Sequence, residues 1–354
     1  MSWPDTRLLD LFGIEVPVVQ APMANFAGVD MAIAVAEAGG LGALPCAALS
    51  PDQIRDCVTA FRARTRKPLN CNFFCHVEPQ DIAKDRAWLD RIAPYFAELG
   101  VDAPPLPLPQ GHPPFGEADC AVVEALRPEV VSFHFGLPPA PLLARVEAVG
   151  CKILSTATSV REACDLAARG VDAVIAQGAE AGGHRGMYLE TDVATQTGIF
   201  ALLRNIAAAV EIPVIAAGGI ADGRAVAAAL TLGASAVQIG TAYLLCPESM
   251  ASALHKKALA DGARETAITD VLTGRPARGI VNRFMREQGP LDAAAPAFPR
   301  ARSAIAPLRT KTEAAGSVDF SPLWSGQAAE LPRGIGAGEL TRTLAQDALA
   351  YLAA

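Results

Sequence analysis

The chain has 354 residues, of which 51% are hydrophobic and 19% are charged. This length suits one large α/β barrel with an insertion or two ordinary domains, and the composition is that of a globular protein with a sizeable core. The net charge of −7 argues against a nucleic-acid-binding protein, because no basic surface is available to neutralise phosphates.

The sequence also argues against a membrane or secreted protein. No apolar run approaches the ~20 residues that cross a bilayer, and the N-terminus lacks the basic and apolar regions of a secretory signal. Eight cysteines occur without a Cys-x-x-Cys pair, which fits a reducing cytoplasm best. Cys71, Cys75 and His76 cluster, but no second cluster completes a zinc site, so no metal is expected.

Eight short apolar segments predict buried strands, because they lack the polar alternation of a half-exposed sheet. In chain order they lie at 16–23, 41–46, 69–74, 130–136, 152–157, 173–177, 213–219 and 236–243. Helical segments separate nearly all of them, and strict alternation of this kind implies a parallel sheet. Eight units favour a closed (β/α)₈ TIM barrel over an open doubly wound sheet.

Helix signals are clearest at two N-termini. Ser50, Pro51 and Gln53 supply an N-cap, a first-turn proline and a capping box. Ser159 and Glu162 repeat the capping-box pattern. Ahead of the first strand, residues 11–14 are expected to cap the barrel floor.

Two segments depart from the alternation. Residues 75–117 form a long excursion with a helical part and a proline-rich part, which is either a surface insertion or a wall beside a pocket. Residues 247–319 predict a small, mainly helical lid domain at the barrel mouth. The barrel itself is then assigned residues 1–246 plus 320–354, and its final helix is expected at 339–352.

Active sites of such barrels lie at the carboxyl ends of the strands, and the ends of the seventh and eighth strands are the usual phosphate site. Here Gly218-Gly219 and the stretch 238–241 offer bare backbone N–H groups and the Thr241 hydroxyl. A helix start near Asp222 adds its positive dipole end. This pattern favours a phosphate-bearing ligand.

Amide side chains end three strands, at Asn72, Gln177 and Gln238. They either bond neighbouring backbone or supply donors and acceptors to a flat heterocycle such as a flavin. His134 and His184 come from different strand ends and could face one ligand, although His134 could also be a core histidine. Glu180 and Arg185, in the same Gly-rich loop as His184, could pair with each other.

Nine short motifs spread over nearly the whole chain add a family resemblance. They lie at 20–23, 38–42, 72–74, 133–136, 177–186, 217–223, 238–241, 274–278 and 323–327. Together they resemble the nitronate monooxygenases, formerly called 2-nitropropane dioxygenases. The resemblance implies an FMN-dependent TIM barrel that oxidises alkyl nitronates, and possibly nitroalkanes, with O₂ to a carbonyl compound and nitrite, without a metal.

The resemblance also assigns roles. His184 is expected to be the catalytic histidine, and His134 to help hold the nitro group. Strand ends and family pattern together give the expected cofactor-binding set: Ala21, Pro22, Met23, Asn72, Gln177, Gly182, Gly183, Gly218, Gly219, Gln238, Ile239, Gly240 and Thr241. The partners are then a small-molecule nitronate and O₂, with a monomer or a homodimer equally compatible.

One segment departs from the family pattern and keeps other functions open. Family members often place tyrosines and a lysine in the lid, where this chain has Phe298, Arg302 and Ala306. The first alternative is an FMN-dependent NAD(P)H:quinone or enoyl-thioester reductase on the same barrel. The others are a non-catalytic flavin- or phosphate-binding protein and a flavin-free phosphosugar enzyme.

Overall fold

The backbone contains eleven strands and thirteen α-helices within the residues that the computed structural model describes, 3–79, 82–109, 111–261, 265–328 and 334–354. Parts of the predicted lid (262–264) and tail (329–333), with positions 1–2, 80–81 and 110, lie outside these ranges. The strands are β1 Val18–Gln20, β2 Gly42–Pro45, β3 Leu69–Phe74, β4 Val130–His134, β5 Lys152–Ala157, β6 Ala173–Gln177, β7 Gly183–His184, β8 Val214–Ala217, β9 Ala236–Ile239, β10 Thr266–Thr269 and β11 Ala277–Ile280.

Helices fill most of the intervals between these strands. They are α1 Arg7–Phe12, α2 Val29–Glu37, α3 Pro51–Arg62, α4 Ala83–Leu99, α5 Glu117–Leu126, α6 Ala140–Ala148, α7 Val160–Ala168, α8 Ile199–Ala209, α9 Gly223–Thr231, α10 Ala253–Ala260, α11 Arg283–Glu287, α12 Arg300–Ala314 and α13 Ala337–Ala353. None of them is both long and apolar enough to cross a membrane, within the ranges given above.

Eight of the strands form one parallel sheet in the order β1-β9-β8-β6-β5-β4-β3-β2. A parallel bridge between Val19 and Leu41 joins the two end strands and closes the sheet into a barrel. The predicted (β/α)₈ barrel is therefore confirmed. The eighth predicted segment is shorter than expected, because the chain turns into a 3₁₀ helix at Thr241.

Side chains on the barrel strands alternate between two apolar clusters, as the period of two requires. The inward set packs on Leu8, Leu9 and Phe12 of α1, which plug the floor of the barrel. The outward set packs against the helices. The predicted floor cap is thus present, and it leaves the opposite end of the barrel for a site.

The two predicted capping boxes differ in outcome. Ser50 and Gln53 bond each other's backbone as expected, at 3.3 and 2.8 Å. The Ser159 hydroxyl accepts from the amide of Glu162, but the Glu162 carboxylate does not return to Ser159. Glu162 is instead fully buried and accepts from the amides of Thr158 and Tyr188, each at 2.7 Å. The carboxylate therefore ties α7 to the loop that follows His184.

A second apolar cluster lies above the barrel and joins the excursion to the lid segment. Trp88 and Ile92 of α4 pack with Leu272, Phe284 and residues of α12. The lid segment also contains β10 and β11, which form a small antiparallel sheet with β7. The boundaries 247–319 stay a prediction, and the excursion packs with this segment as one layer.

One buried ion pair crosses this layer. Asp85 of α4 accepts from the guanidinium of Arg300 on α12, and both side chains are almost fully buried. The Asp85 carboxylate also accepts from the amide of Leu108 in the proline-rich segment, at 3.2 Å. The ion pair therefore connects the excursion at 75–117 to the lid segment.

We expect Asp85→Ala to lower the free energy of unfolding by about 3–5 kcal/mol, because it leaves the Arg300 charge buried without a partner. Lys67→Met is the control, since its partner Glu15 is 68% exposed and such surface pairs contribute less than about 1 kcal/mol. Urea denaturation of both variants measures the difference. Equal losses would contradict the role assigned to the buried pair.

Candidate active site

A cavity of about 830 Å³ opens at the carboxyl ends of the barrel strands, where the sequence placed the site. Both predicted histidines and all the predicted cofactor-binding residues except Ile239 line it. The side chain of Ile239 is 1% exposed and packs in the outer cluster, because strand alternation turns it away from Gln238. The side chain of Ile239 therefore faces away from the cavity, and its place in the cofactor-binding set stays a prediction that would rest on its backbone.

Unsatisfied backbone donors lie at the predicted phosphate position. Within the described residues, no acceptor takes the amide hydrogens of Gly218, Gly219 or Gly240. Gly218 has a φ of 116°, and a Cβ there would lie 2.9 Å from the amide nitrogen of Ala181. Glycine is required to keep this backbone open, and the free amides suit an anion.

The neighbouring helix N-terminus contributes less than expected. The carboxylate of Asp222 already accepts from the amide of Ala225 at 2.8 Å, so α9 is capped by a negative group. Thr241 is better placed, because its hydroxyl oxygen accepts from the amide of Gly326 at 2.9 Å and keeps its own hydrogen free. The anion cradle therefore consists of glycine amides and one hydroxyl.

The three strand-end amides have different partners. The Asn72 amide nitrogen donates to the carbonyl and the hydroxyl of Ser132, at 3.1 and 3.0 Å. Gln177 donates to the carbonyl of His184 and accepts from the amide of Gly186, so both of its polar ends bind the loop. The Gln238 side-chain oxygen is buried without a partner in the described residues, and it lines the cavity.

His184 lies on β7, and β11 holds its backbone by antiparallel pairing with Ala277. Its Nε2 lies 3.0 Å from the Thr273 hydroxyl, which donates to the carbonyl of Arg275 at 3.2 Å. Because that hydroxyl has one hydrogen, Nε2–H of His184 must donate to it. Nδ1 is then the unprotonated nitrogen.

Burial lowers the pKa of His184 to about 3, and repulsion from His134 and Arg275 adds to the effect. The imidazole is therefore neutral at physiological pH. A neutral imidazole with a free Nδ1 at a cavity wall can accept a proton from a ligand.

His134 has a different environment. Its Nε2–H donates to the carbonyl of His184 at 3.1 Å, and its Nδ1 accepts from the Thr156 hydroxyl at 3.0 Å. Burial lowers its pKa to about 3 as well. Both ring nitrogens are thus engaged within the protein, which favours a role in positioning His184; the predicted contact to a nitro group stays a prediction.

Aromatic rings and arginines surround the His184 ring. Phe298 and Trp324 lie 5.2 and 5.5 Å from it, measured between ring centroids. The buried guanidinium of Arg275 stacks on Phe135 at 4.0 Å. Arg302 of α12 also lines the cavity, and no described hydrogen bond or ion pair occupies its guanidinium.

The expected pair between Glu180 and Arg185 is not formed. Arg185 is fully buried and donates to the carbonyls of Gln177 and Gly178 and to the Gln196 side chain. Glu180 accepts from the amide of Ile199. Both side chains therefore fasten the loop that carries His184.

The cysteines and His76 do not converge on a metal. Cys71 packs in the outer apolar cluster, Cys75 packs against it, and His76 faces the cavity. The described residues contain no group of three or more potential metal ligands, and all eight cysteines are free thiols.

Sequence reasoning missed several residues of the site. Thr156 and Thr273 lie in no sequence motif, and the fold brings their hydroxyls to the two histidines. Arg275 lies in the motif at 274–278, but no signal in the sequence placed it near His184. The sequence suggested His76 only as a metal ligand. Its position directly after a barrel strand was the signal that could have placed it at the cavity.

A closed barrel with free amides at the predicted phosphate position and a neutral histidine at the cavity indicates a TIM-barrel enzyme. The family model "Nitronate monooxygenase" matches residues 5–347, and the chain belongs to that family. It is 44% identical to "Nitronate monooxygenase" of Pseudomonas aeruginosa, over 96% of this chain and 98% of the relative. A relative of the same name in Paraburkholderia phytofirmans is 41% identical, over 96% and 94% of the two chains.

Solved structures agree with the fold. Nitroalkane oxidase from Streptomyces ansochromogenes has a TM-score of 0.88 and 38% identity, over 97% of this chain and 98% of that one. The enoyl reductase domain of MlnA from Bacillus amyloliquefaciens shares the fold alone, at a TM-score of 0.65 and 12% identity, over 99% and 98% of the two chains.

We expect Thr273→Val to lower the rate at which a neutral nitroalkane reduces the enzyme by about tenfold, because Nε2–H of His184 loses its acceptor and the tautomer is no longer fixed. Thr273→Ser keeps the hydroxyl and is the matched control. Anaerobic stopped-flow absorbance across pH 6–9 measures both. A Val variant with the wild-type rate and pH profile would contradict the hydrogen-bond chain.

Proposed function

We propose that the protein is an FMN-dependent enzyme that oxidises alkyl nitronates, and nitroalkanes after deprotonation, with O₂ to a carbonyl compound and nitrite. The observation that carries the proposal is the neutral His184, whose free Nδ1 lies at the wall of a cavity that also contains the anion cradle. Membership of the nitronate monooxygenase family supports the same reaction class.

The residues present fit FMN. The free amides of Gly218, Gly219 and Gly240 suit its phosphate, and the Thr241 hydroxyl has a hydrogen to donate. The unpartnered Gln238 oxygen would accept from an N–H of the flavin ring system, and Asn72 lies on the same cavity wall. We assign these residues, with Ala21 to Met23, Gly182 and Gly183, to the cofactor.

When bound, FMN supplies the electron transfer between the nitronate and O₂. The protein supplies proton transfer and orientation. Nδ1 of His184 removes the α-proton of a nitroalkane, because the ring is neutral and its tautomer leaves that nitrogen free. A nitronate is already an anion and needs no base, so binding by N–H donors suffices for it. The eight free thiols fit a cytoplasmic location.

The test is anaerobic stopped-flow absorbance with three reductants, propionate 3-nitronate, nitroethane and NADH, on protein whose FMN content has been measured. We expect fast reduction by the nitronate and O₂ uptake when air is admitted. His184→Asn should slow reduction by nitroethane about 100-fold or more and affect the nitronate less. Fast reduction by NADH with the nitronate inert would move the assignment to a reductase.

Arg302 adds a substrate preference to the proposal. Its guanidinium lines the cavity without a partner in the described residues, and it lies in the lid segment where the family pattern often has tyrosines and a lysine. We expect Arg302→Met to raise KM about tenfold for propionate 3-nitronate, which carries a carboxylate, and little for propyl nitronate. Arg302→Lys, which keeps the charge, is the control. Equal changes for the two substrates would contradict a carboxylate contact.

A further inference from the structure

Two side chains of the cavity wall have buried polar atoms without a described partner, Gln238 and His76. Gln238 is explained by the cofactor assignment, but His76 is not. Its side chain is 6% exposed, and neither ring nitrogen has a hydrogen-bond partner in the described part of the chain. A buried polar group without a partner is costly, so its retention requires a ligand that completes it.

The backbone holds His76 firmly at the cavity. It follows β3 by two positions, and the intervening Cys75 donates its amide to the carbonyl of His134 at 2.8 Å. Val77, the next residue, is 87% exposed, so the chain leaves the protein interior directly after the histidine. The imidazole therefore enters the cavity from the end of a barrel strand.

His76 shares an aromatic neighbour with the catalytic histidine. Its ring centroid lies 5.0 Å from that of Phe298 at an angle of 90°, and the His184 centroid lies 5.2 Å from the same ring. A small ligand against Phe298 can therefore reach both imidazoles. Phenylalanine would fill the position of His76 without a polar cost, so packing alone does not explain a histidine there.

The charges around this part of the cavity indicate which ligand atom is bound. The pKa of His76 is lowered to about 4 by burial and by the nearby Arg275, so the ring is neutral and has one N–H to donate. Glu313 is the sole acidic residue among the described residues that line the cavity, and it already accepts from Arg309 and Ser321. An oxyanion is thus the complementary ligand.

We propose that His76 is a substrate-binding residue whose N–H donates to a nitronate oxygen of the ligand held between Phe298 and His184. This inference rests on the proposed function and names a donor for its substrate. His184 then accepts the proton of the α-carbon, and His76 donates a hydrogen bond to an oxygen of the ligand. The two roles can be separated by experiment, because a nitronate needs the hydrogen bond from His76 but no proton transfer to His184.

The test compares His76→Phe, which keeps the ring and removes the N–H, with His76→Gln, which keeps a donor. Cys75→Ala is the matched control, because that side chain packs against the outer apolar cluster and does not line the cavity. For each variant we would measure FMN content, kcat and KM with propyl nitronate, and the Kd of nitrite from the change in flavin absorbance.

We expect His76→Phe to raise KM and the nitrite Kd by about tenfold or more, with kcat changed less. His76→Gln should recover a large part of the affinity, and Cys75→Ala should match the wild type. Unchanged KM and Kd in His76→Phe, or a Gln variant weaker than the Phe variant, would overturn the inference. A wild-type protein inert towards nitronates would instead refute the proposed function.

Should His76→Phe fail to fold, the wild-type holoenzyme decides the question. Histidine-selective ¹⁵N labelling gives signals from only five histidines. Nitrite should shift the signal that is missing from His76→Gln towards a hydrogen-bonded N–H. A His76 signal that does not move at saturating nitrite would overturn the inference.

Discussion

The site depends on how the backbone carbonyl and flanking residues of His184 are held. That carbonyl accepts from His134 of β4 and from Gln177 of β6, while β11 pairs with the same residue from the lid side. Arg185 fastens the adjoining loop through the carbonyls of Gln177 and Gly178. Two barrel strands and one lid strand therefore fix a two-residue strand that could not be stable alone.

These contacts around His184 explain why His134 and His184 have different hydrogen-bonding states. Both ring nitrogens of His134 are hydrogen-bonded within the protein, and Nε2–H of His184 donates to Thr273. Nδ1 of His184 is therefore the one ring nitrogen of the two histidines that stays available to a ligand. Burial lowers the pKa of both rings, because a charged imidazole would lose its hydration without gaining a carboxylate. The result is a neutral imidazole at the cavity, as the proposed role of His184 as a base requires.

The layer above the barrel, formed by the excursion at 75–117 and the lid segment, is also held by contacts between distant parts of the chain. The excursion after β3 and the segment after the barrel are far apart in sequence, yet Asp85 and Arg300 join them in an apolar surrounding. The lid segment supplies Thr273, Phe298 and Arg302 to the cavity, whereas the barrel supplies the glycines and the histidines. Substitutions in the lid can therefore change the cavity wall while the glycine amides proposed to bind the cofactor are kept.

The barrel, the strand ends and most of the cavity lining could be predicted from the sequence, because uninterrupted apolar runs, glycine stops and strand-end polar residues are local signals. The sequence also pointed to Gly218, Gly219 and His184. The hydrogen-bond partners required the folded structure: Gln177 accepts from Gly186, Glu162 accepts from Tyr188, and Thr273 accepts from His184. Such contacts join residues distant in the chain, and no local pattern specifies them.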